Sequence, residues 1–585
     1  MKGKNILFSF IKDHKISYAG GIVILLVTSF IAMLIPKLLG IITDGLNDRN
    51  MAPAEIYKNV ALMMAIVVAV FILKYLWRYL LIGNCRSLEC YLRDKLFKHL
   101  QTLPVSFYND HKTGDLVAYA INDVQAVRMT FGFGSIQILD GLSVSLISIF
   151  FMIRTINPLL TVLALAPVPI AVFVMVKVGR LIRIRFKKVQ EAFAAISEKV
   201  QENISGIRVI KAFTQENEEV DNFLRFSQDR VDTQMKLTRV SAMLGPCAQA
   251  CFGVSFLFYI VYGSLQVTRG MISLGDYVAF NSYMMAIMGP VMNISRIIDV
   301  WQRGLASLKR LEIIFSTPPG TASLEDEKES CVIEGSLEVR NLNFTYPGSA
   351  RRALKNINIK LGRGRTLGIL GKTGSGKTTL VNLLLKLYDV DDGHIFFDGK
   401  DINSIPADAL RECIGCVPQE NFLFSATIRS NIEFFRQLYS EDEIEEAARL
   451  SGVYENIVAF PDGFETIVGE RGTTLSGGQK QRISIARALV KDPSVLILDD
   501  SLSAVDTATE EIILGNIKRV LKNRTGIIIS HRVSTVKHAD EILFMDNGRI
   551  VERGTHEELM ALEGSYCQLY KAQTNQATES SEVAV

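Results

Sequence analysis

Residues 371–378 read Gly371-Lys372-Thr373-Gly374-Ser375-Gly376-Lys377-Thr378, and this motif indicates the fold of the second half of the chain. It follows the apolar run 366–370, which predicts a strand, and it precedes a pattern that predicts a helix from about Lys377. A strand, a glycine-rich loop and a helix in this order are typical of a loop that binds phosphate groups. The glycines let backbone amides converge on phosphate oxygens, and the start of the helix adds positive potential.

Two side chains of this loop and two further carboxylates predict specific chemistry. Lys377 is expected to bridge the terminal phosphates of a nucleotide, and Thr378 offers its hydroxyl group to magnesium. The run 495–498 is a continuous apolar strand, so Asp499 emerges at its C-terminal end and can hold magnesium through water. The next residue, Asp500, should face the attacking water.

The residues around this loop predict an α/β domain at 337–572. Short β-branched runs alternate there with amphipathic helices, as in a domain with a mostly parallel sheet. A linker with an acidic run, 317–336, precedes the domain, and a polar tail, 573–585, follows it.

The first part of the chain, 1–316, predicts a membrane domain. A helix needs roughly 20 apolar residues to cross the hydrocarbon core of a bilayer. One such segment could be a buried helix of a soluble protein, but six within one domain make that explanation improbable. The predicted spans are approximately 17–42, 57–82, 131–156, 158–182, 240–268 and 275–302.

The links between these spans predict their orientation. The links after the second and fourth spans are long and carry most of the Lys and Arg residues, which places them in the cytoplasm together with both termini. Their amphipathic pattern predicts membrane helices that continue into the cytoplasm and reverse near Gly114 and Gly206. Prolines in the apolar helices predict kinks. These prolines are Pro36, Pro167, Pro169, Pro246 and Pro290.

Composition excludes some classes of protein. The 585-residue chain has a formal net charge of +3 and no basic cluster interleaved with aromatic residues, so nucleic-acid binding has little support. Its 8 cysteines are scattered without a disulfide framework. Cys413 and Cys416 have the spacing of a metal or redox pair, but residues three apart on a short strand face opposite sides.

Further motifs carry a family resemblance. Four elements follow one another along the chain in the order found in ATP-binding cassette (ABC) proteins: Tyr346, Gln419, the motif Leu475-Ser476-Gly477-Gly478-Gln479, and His531. With them, the sequence resembles an ABC exporter over nearly all of its length. The resemblance implies that the motif 475–479 is the family signature and that Tyr346 stacks on adenine. It also implies that Gln419 senses magnesium and that His531 contacts the γ-phosphate.

Two other segments match the exporters of this family. Ser503-Ala504-Val505-Asp506 resembles the loop that crosses the dimer, and 466–472 resembles the segment that touches the membrane domain. The implied fold is an all-α membrane domain of six transmembrane helices with long cytoplasmic extensions, the type I exporter or type IV ABC fold. An α/β P-loop ABC ATPase domain is expected to follow it.

The resemblance also implies a set of site residues. The catalytic residues would be Asp500, His531 and Gln419, and the magnesium ligands would be Thr378, Gln419 and Asp499. The residues expected to contact ATP are Tyr346, Gly371, Lys372, Thr373, Gly374, Ser375, Gly376, Lys377, Thr378, Thr379, Gln419, Ser476, Gly477, Gly478, Gln479, Asp499 and His531.

One residue departs from the family pattern. In the family, two nucleotide domains meet head to tail, and each ATP lies between one chain's phosphate loop and the other chain's signature. A vigorous ATPase of this type carries glutamate where this chain has Asp500. A carboxylate that is shorter by one methylene group predicts slow hydrolysis, because a displacement of about 1 Å can cost on the order of a hundredfold in rate.

The sequence therefore predicts an ATP hydrolase coupled to transport, with ATP and Mg²⁺ as cofactors and a weakly hydrolytic site of its own. The predicted partners are a homologous ABC half-transporter with a catalytic glutamate, a hydrophobic drug-like substrate and the lipid bilayer, but not nucleic acid. The predicted location is the bacterial cell membrane, crossed several times. A homodimeric lipid or peptide exporter remains an alternative, as does a nucleotide-gated regulator or channel that does not pump.

Overall fold

The computed structural model describes residues 3–48, 51–320, 333–469, 472, 474–502 and 507–582. By their internal contacts, Met1–Leu100 and Thr113–Thr317 form one unit, and Gln101–Lys112 and Pro318–Val585 form a second. The dimer-crossing loop predicted at 503–506 lies outside the described residues, as do positions 470 and 471 of the segment 466–472.

The first unit is helical. Two of its helices, of 50 and 53 residues, would span on the order of 75–80 Å, more than twice the thickness of a bilayer core. This confirms that membrane helices continue well beyond the apolar layer. The helices of the first unit, together with the short α5 of the second, are α1 (Gly3–Asp13), α2 (Lys15–Ala32), α3 (Leu34–Asn47), α4 (Pro53–Thr102), α5 (Val105–Asp110), α6 (Thr113–Ala118), α7 (Val124–Arg128), α8 (Ser135–Phe151), α9 (Pro158–Leu165), α10 (Val168–Ser205), α11 (Ile207–Ala212), α12 (Glu216–Thr268) and α13 (Leu274–Ser316).

Five helical stretches among the described residues are long and apolar enough to cross a membrane. The sixth predicted span lies within α13, a continuous helix of 43 residues that is not among those five. Large apolar side chains on these helices are exposed, for example Met64 at 62% and Phe71 at 71%. Water solvates such a surface poorly, as expected for helices that face lipid or a second subunit. The five stretches are Lys15–Asn47, Pro53–Thr102, Thr113–Ile156, Pro158–Ser205 and Glu216–Thr268.

Two carboxylates connect distant helices within this unit. Asp44 in α3 accepts hydrogen bonds from the hydroxyl group of Ser273 (2.6 Å) and the amide of Gly275 (2.5 Å) at the start of α13. Asp123, 6% exposed, accepts two hydrogen bonds from the guanidinium of Arg310 at 2.8 and 2.6 Å. Asp123 is buried and Asp44 is half-buried, and a carboxylate removed from water needs such donors, so both contacts fix α13 against the earlier helices.

The strands described in the second unit are β1 (Leu337–Thr345), β2 (Arg352–Leu361), β3 (Thr366–Gly371), β4 (Ile395–Phe397), β5 (Lys400–Asp401), β6 (Ile414–Val417), β7 (Val495–Asp499), β8 (Thr525–Ile529), β9 (Glu541–Asp546) and β10 (Arg549–Gly554). Among the described residues they form two sheets. A four-stranded antiparallel sheet has the order β2-β1-β4-β5, and a six-stranded sheet has the order β10-β9-β3-β8-β7-β6. Of the strand pairs described in the six-stranded sheet, only the edge pair β10 and β9 is antiparallel.

Helices cover this larger sheet, and the core is apolar. Strands β7 and β8 are buried at every residue, which is typical of central parallel strands with covered faces. Because the carboxyl ends of parallel strands meet at one edge, Gly371 and Asp499 come together there. The helices are α14 (Lys377–Leu384), α15 (Ala407–Cys413), α16 (Ile428–Glu433), α17 (Glu441–Leu450), α18 (Tyr454–Val458), α19 (Gly477–Leu489), α20 (Thr507–Val520), α21 (Val533–Val536), α22 (His556–Ala561) and α23 (Ser565–Glu582).

Two details of this unit bear on the sequence predictions, namely the cysteine pair and the boundary of the polar tail. Cys413 ends α15 whereas Cys416 lies in β6, so the two cysteines do not share a strand. Burial raises the pKa of the Cys416 thiol to about 12. The thiol of Cys416 is therefore protonated at neutral pH and is a poor nucleophile or metal ligand. The boundary of the predicted polar tail, 573, falls inside α23, which continues to Glu582.

Candidate nucleotide site

The glycine-rich loop joins β3 to α14 as the sequence predicts. Gly371 has φ 154° and Gly376 has φ 103°. A side chain at Gly371 would place its Cβ atom 2.2 Å from the carbonyl oxygen of Met545, so the close approach of β9 requires glycine here. Gly376 precedes α14 directly, and the first amide groups of that helix have no partner within the helix. The loop therefore presents backbone donors to an anion.

Lys377 lies beneath this loop with its ammonium group held in place. The Nζ atom donates hydrogen bonds to the carbonyl oxygens of Gly371 (2.8 Å) and Lys372 (3.0 Å). Burial lowers the pKa of Lys377, while the negative charges of Asp499 and Asp500 oppose this shift. The cation is thus positioned next to two carboxylates, where a phosphate group would supply further negative charge.

Asp499 ends β7 and is 3% exposed. Burial raises the pKa of its carboxyl group, and the charge of Asp500 acts in the same direction. A hydrogen bond with Thr378 and the charge of Lys377 oppose that shift. A buried carboxylate next to a hydroxyl group is a hard oxygen donor set, which Mg²⁺ prefers.

Asp500 has a left-handed backbone, with φ 48°. Its amide donates a hydrogen bond of 2.9 Å to the carbonyl oxygen of Ile529 at the end of β8. Aspartate and asparagine tolerate this conformation better than longer side chains do. Asp500 therefore fits its backbone well, and the sequence alone gives no indication of this conformation.

One cleft of about 360 Å³ brings most of the predicted site residues together. Gln419 is exposed beyond β6, and Tyr346 is half-buried just after β1. The residues that line the cleft are Tyr346, Ser349, Arg351, Ala353, Thr373, Gly374, Ser375, Gly376, Lys377, Thr378, Thr379, Gln419, Asp499, Asp500 and His531. Ser349 and Arg351 lie in the loop before β2, and Ala353 lies at the start of that strand. None of the three was predicted from the sequence, because this segment carries no motif.

The signature residues do not line this cleft among the described residues. They form the beginning of α19, where Ser476 is the N-cap. The amide of Gln479 donates to the hydroxyl group of Ser476 (3.3 Å), and the amide of Ser476 donates to the side-chain oxygen of Gln479 (2.9 Å). This capping box fixes the helix start and leaves Gly477 and Gly478 in its first turn. The signature residues therefore lie at a helix start that is separate from the phosphate loop, and amide groups in the first turn of a helix have no partner within it.

Gln573 of α23 is a site-supporting residue that sequence reasoning missed. Its side-chain nitrogen donates a hydrogen bond of 2.7 Å to the carbonyl oxygen of His531. Its side-chain oxygen accepts a hydrogen bond of 2.9 Å from the amide of Val533. One amide side chain therefore holds the backbone at His531 and, two residues later, at Val533. A single glutamine about 40 positions away gives no local pattern from which this contact could be predicted.

We expect the substitution Gln573→Ala to lower the ATPase turnover of the purified chain by about three- to tenfold, because two hydrogen bonds to the His531 loop are lost. The apparent affinity for nucleotide should change by less than about twofold, since the phosphate loop is untouched. Steady-state ATPase kinetics check this result. Lys571→Ala, at an exposed position on the same helix, is the matched control and should retain its turnover. Equal turnover in both variants would contradict a positioning role for Gln573.

ATP and Mg²⁺ fit the groups that this cleft provides. The aromatic ring of Tyr346, the loop amides, the Lys377 cation and the oxygen donors of Thr378 and Asp499 match a base, a phosphate chain and a hard cation.

Comparison with known proteins agrees with this geometry. The family described as ABC transporter transmembrane region matches residues 18–291, and the family described as ABC transporter matches residues 354–503. Among solved structures, a bacterial Atm1-family ABC exporter with ATP bound is similar, with a TM-score of 0.78 and 25% identity. That match covers 96% of this chain and 98% of the other.

Curated relatives cover almost the whole chain. The probable multidrug resistance ABC transporter ATP-binding/permease protein YheI of Bacillus subtilis (strain 168) is 39% identical over 96% of both chains. The multidrug resistance-like ATP-binding protein MdlA of Escherichia coli (strain K12) is 36% identical over 96% of this chain and 95% of its own length. An ATP-dependent lipid A-core flippase of Syntrophus aciditrophicus (strain SB) is 32% identical over 99% of this chain and 95% of its own length.

These matches confirm the predicted type IV exporter fold, with an N-terminal transmembrane domain followed by an ABC ATPase domain. The chain belongs to the ABC exporter family, and it is a membrane translocase that couples ATP hydrolysis to transport.

Proposed function

We propose that this chain is the slowly hydrolysing half of a heterodimeric exporter of hydrophobic drug-like compounds. In this proposal it lies in the bacterial cell membrane, with both termini in the cytoplasm. One observation carries the proposal: the residue after Asp499 is an aspartate, while the signature at the start of α19 is complete and capped.

In this proposal, Asp500 limits the rate of hydrolysis at this chain's own site. The carboxylate that follows the magnesium-binding aspartate orients the water that attacks the γ-phosphate, so its reach decides the rate. Aspartate is one methylene group shorter than glutamate, and its left-handed backbone is held by the bond to Ile529. The backbone therefore has little freedom to move the shorter side chain towards the water. ATP would bind in this cleft and turn over slowly.

The signature of this chain, in contrast, would serve the site of the partner subunit. The hydroxyl group of Ser476 and the amides of Gly477 and Gly478 would contact the γ-phosphate that the opposite subunit holds. The capping box with Gln479 supports this role, because it fixes the helix start before any phosphate arrives. A partner with glutamate after its own magnesium-binding aspartate would then possess one fully equipped site.

The remaining cleft residues have supporting roles in this chain's own site. Tyr346 would stack on adenine, and the loop 371–379 would hold the phosphates with Lys377. His531 would contact the γ-phosphate, and Gln419 would report the state of the site to the membrane helices. Thr378, Gln419 and Asp499 would hold Mg²⁺, and the bound ion would neutralise charge on the terminal phosphates. Retention of ATP here would act as a clamp while hydrolysis proceeds at the partner's site.

The descriptions of two relatives support the proposed substrate class. Two of the similar proteins are described as multidrug resistance or multidrug resistance-like proteins, and both align over 95% or more of each chain. The 32% identity to a lipid A-core flippase favours a second candidate, a homodimeric lipid exporter.

Transport into proteoliposomes separates these candidates. We expect the complex purified with this chain from its native membrane to accumulate a fluorescent hydrophobic dye when ATP is added, and not when ADP is added. The chain alone should accumulate the dye at least about tenfold more slowly, because both of its sites would carry Asp500. Equal uptake by the chain alone would contradict the heterodimer. Movement of a fluorescent phospholipid without dye uptake would favour the lipid exporter.

A further inference from the structure

A second cavity lies within the nucleotide-binding unit, between α20 and the segment that follows His531. Its volume is about 340 Å³, and its lining comes from α20, from α21 with the residues just after it, and from β3 and β8. Among the described residues, no side chain that lines the nucleotide cleft also lines this cavity. The cavity is therefore separate from the groups expected to bind ATP.

The floor of this cavity is apolar. Ile517, Leu521 and Ile528 line it and are 1%, 5% and 7% exposed. The half-buried side chains of Leu514 and Ala539 extend the same surface. A cavity of this volume with an apolar interior and a few polar groups is typical of a small-molecule site. The floor is suited to a flat hydrocarbon group such as an aromatic ring.

The rim of the cavity carries positive charge. Lys518 belongs to α20, whereas Lys537 and His538 follow α21, and all three are exposed. Partial burial lowers the pKa of His538, and the charges of Lys537 and Lys518 act in the same direction. Both ammonium groups are therefore close enough to act on one imidazole ring. Neither lysine forms an ion pair among the described residues, and two such cations on one rim favour an anionic ligand.

The two acidic residues of the lining do not cancel this charge. Glu510 is 2% exposed and accepts hydrogen bonds from the guanidinium of Arg532 (2.9 Å) and the hydroxyl group of Thr535 (2.7 Å). The charge of Glu510 is thus balanced by Arg532. Glu511 is exposed to water. The two lysines outnumber this remaining acid, so the cavity favours an anion over a cation.

We propose that this cavity binds a small aromatic carboxylate. The ring of the ligand lies on the apolar floor, and its carboxylate accepts hydrogen bonds from the ammonium groups of Lys518 and Lys537. A neutral compound of the same shape keeps the apolar contacts but loses these hydrogen bonds. The site does not depend on the proposed division of labour between subunits, because it uses no residue of the phosphate loop or of the signature.

Cinnamate and its neutral amide, cinnamamide, test this assignment in the full complex. The complex is held in lipid nanodiscs, and binding is measured by ligand-observed NMR with empty nanodiscs as the blank. We expect cinnamate to bind saturably and at least about tenfold more tightly than cinnamamide, because only the carboxylate pairs with the lysines. Absence of saturable cinnamate binding, or equal affinity for the two compounds, would overturn the proposal.

Two variants locate the binding in this cavity. Lys518→Gln combined with Lys537→Gln removes both charges and should weaken cinnamate binding at least about tenfold, while cinnamamide binding changes by less than about twofold. Gly515→Trp should abolish the binding of both compounds. Gly515 lines the cavity, and a Cβ atom there would meet no heavy atom within 4 Å, so a large side chain can occupy the space without displacing its neighbours.

An exposed lysine outside the cavity is the matched control. Lys522→Gln removes the same charge close to the end of α20 and should retain cinnamate binding. Thermal unfolding of each variant checks its folding. Unchanged cinnamate affinity in the double lysine variant or in a folded Gly515→Trp variant would mean that the ligand binds elsewhere. An equal loss in Lys522→Gln would likewise show that the lysines of the rim are not the recognition groups.

Discussion

The substitution Asp500→Glu is expected to raise the ATPase rate of the purified chain by about a hundredfold. The added methylene group moves the carboxylate about 1 Å further towards the attacking water, and misplacement of that size is enough to account for such a factor. Steady-state phosphate release from the isolated chain in lipid nanodiscs measures the effect. The rate of the wild-type chain alone should lie far below that of the complex with its partner.

The left-handed backbone at position 500 disfavours glutamate, so a second variant is needed as a control. Glutamate is less suited than aspartate to φ 48°, and the strain is about 1 kcal/mol. That strain lowers stability, while a hundredfold gain in rate corresponds to about 2.7 kcal/mol of barrier. Asp500→Asn keeps the size and the backbone preference but removes the charge, and it should abolish the residual activity. An Asp500→Glu chain that folds normally and hydrolyses ATP no faster than the wild type would refute the slow-site interpretation.

The second large effect is expected from Gly477→Asp in the signature. A carboxylate in the first turn of α19 would face the γ-phosphate of the partner's ATP, and we expect the ATPase rate of the complex to fall by about a hundredfold or more. Acidic residues stabilise the start of a helix, so the variant chain should fold as well as the wild type. ATPase assays of the complex, with thermal unfolding as the check on folding, measure the effect.

The matched variant lies in this chain's own phosphate loop. Lys377→Ala removes the cation from the slow site and should lower the ATPase rate of the complex by less than about tenfold, because the partner's loop carries most of the hydrolysis. In a homodimer, each substitution would alter both ATP sites, so the two variants would lose similar amounts of ATPase activity. Comparable losses in the two variants would therefore contradict the division of labour between subunits.

Much of this fold can be predicted from local patterns in the sequence. The phosphate loop needs glycines at particular positions between a strand and a helix, and Asp499 follows a continuous apolar strand, so both were placed correctly at one edge of the sheet. The amphipathic pattern of the long links likewise predicted the extension of α4, α10 and α12 beyond the apolar spans.

Other features depend on contacts between residues far apart in sequence. Gln573 bonds to the His531 loop, and Asn109 bonds to Tyr388 across 279 positions. A single polar residue has no periodicity, so nothing in its neighbourhood indicates its partner. The left-handed backbone of Asp500 arises from the bond between its amide and β8, which also lies outside any local motif.

The subunit composition of the native assembly distinguishes a heterodimer from a homodimer. The chain, tagged and purified from its own membrane in mild detergent, can be weighed intact by native mass spectrometry in the presence of ATP. The account predicts a one-to-one complex with a second ABC half-transporter whose sequence has glutamate at the position of Asp500. A particle of about 130 kDa that contains two copies of this 65.1 kDa chain and hydrolyses ATP rapidly would contradict it.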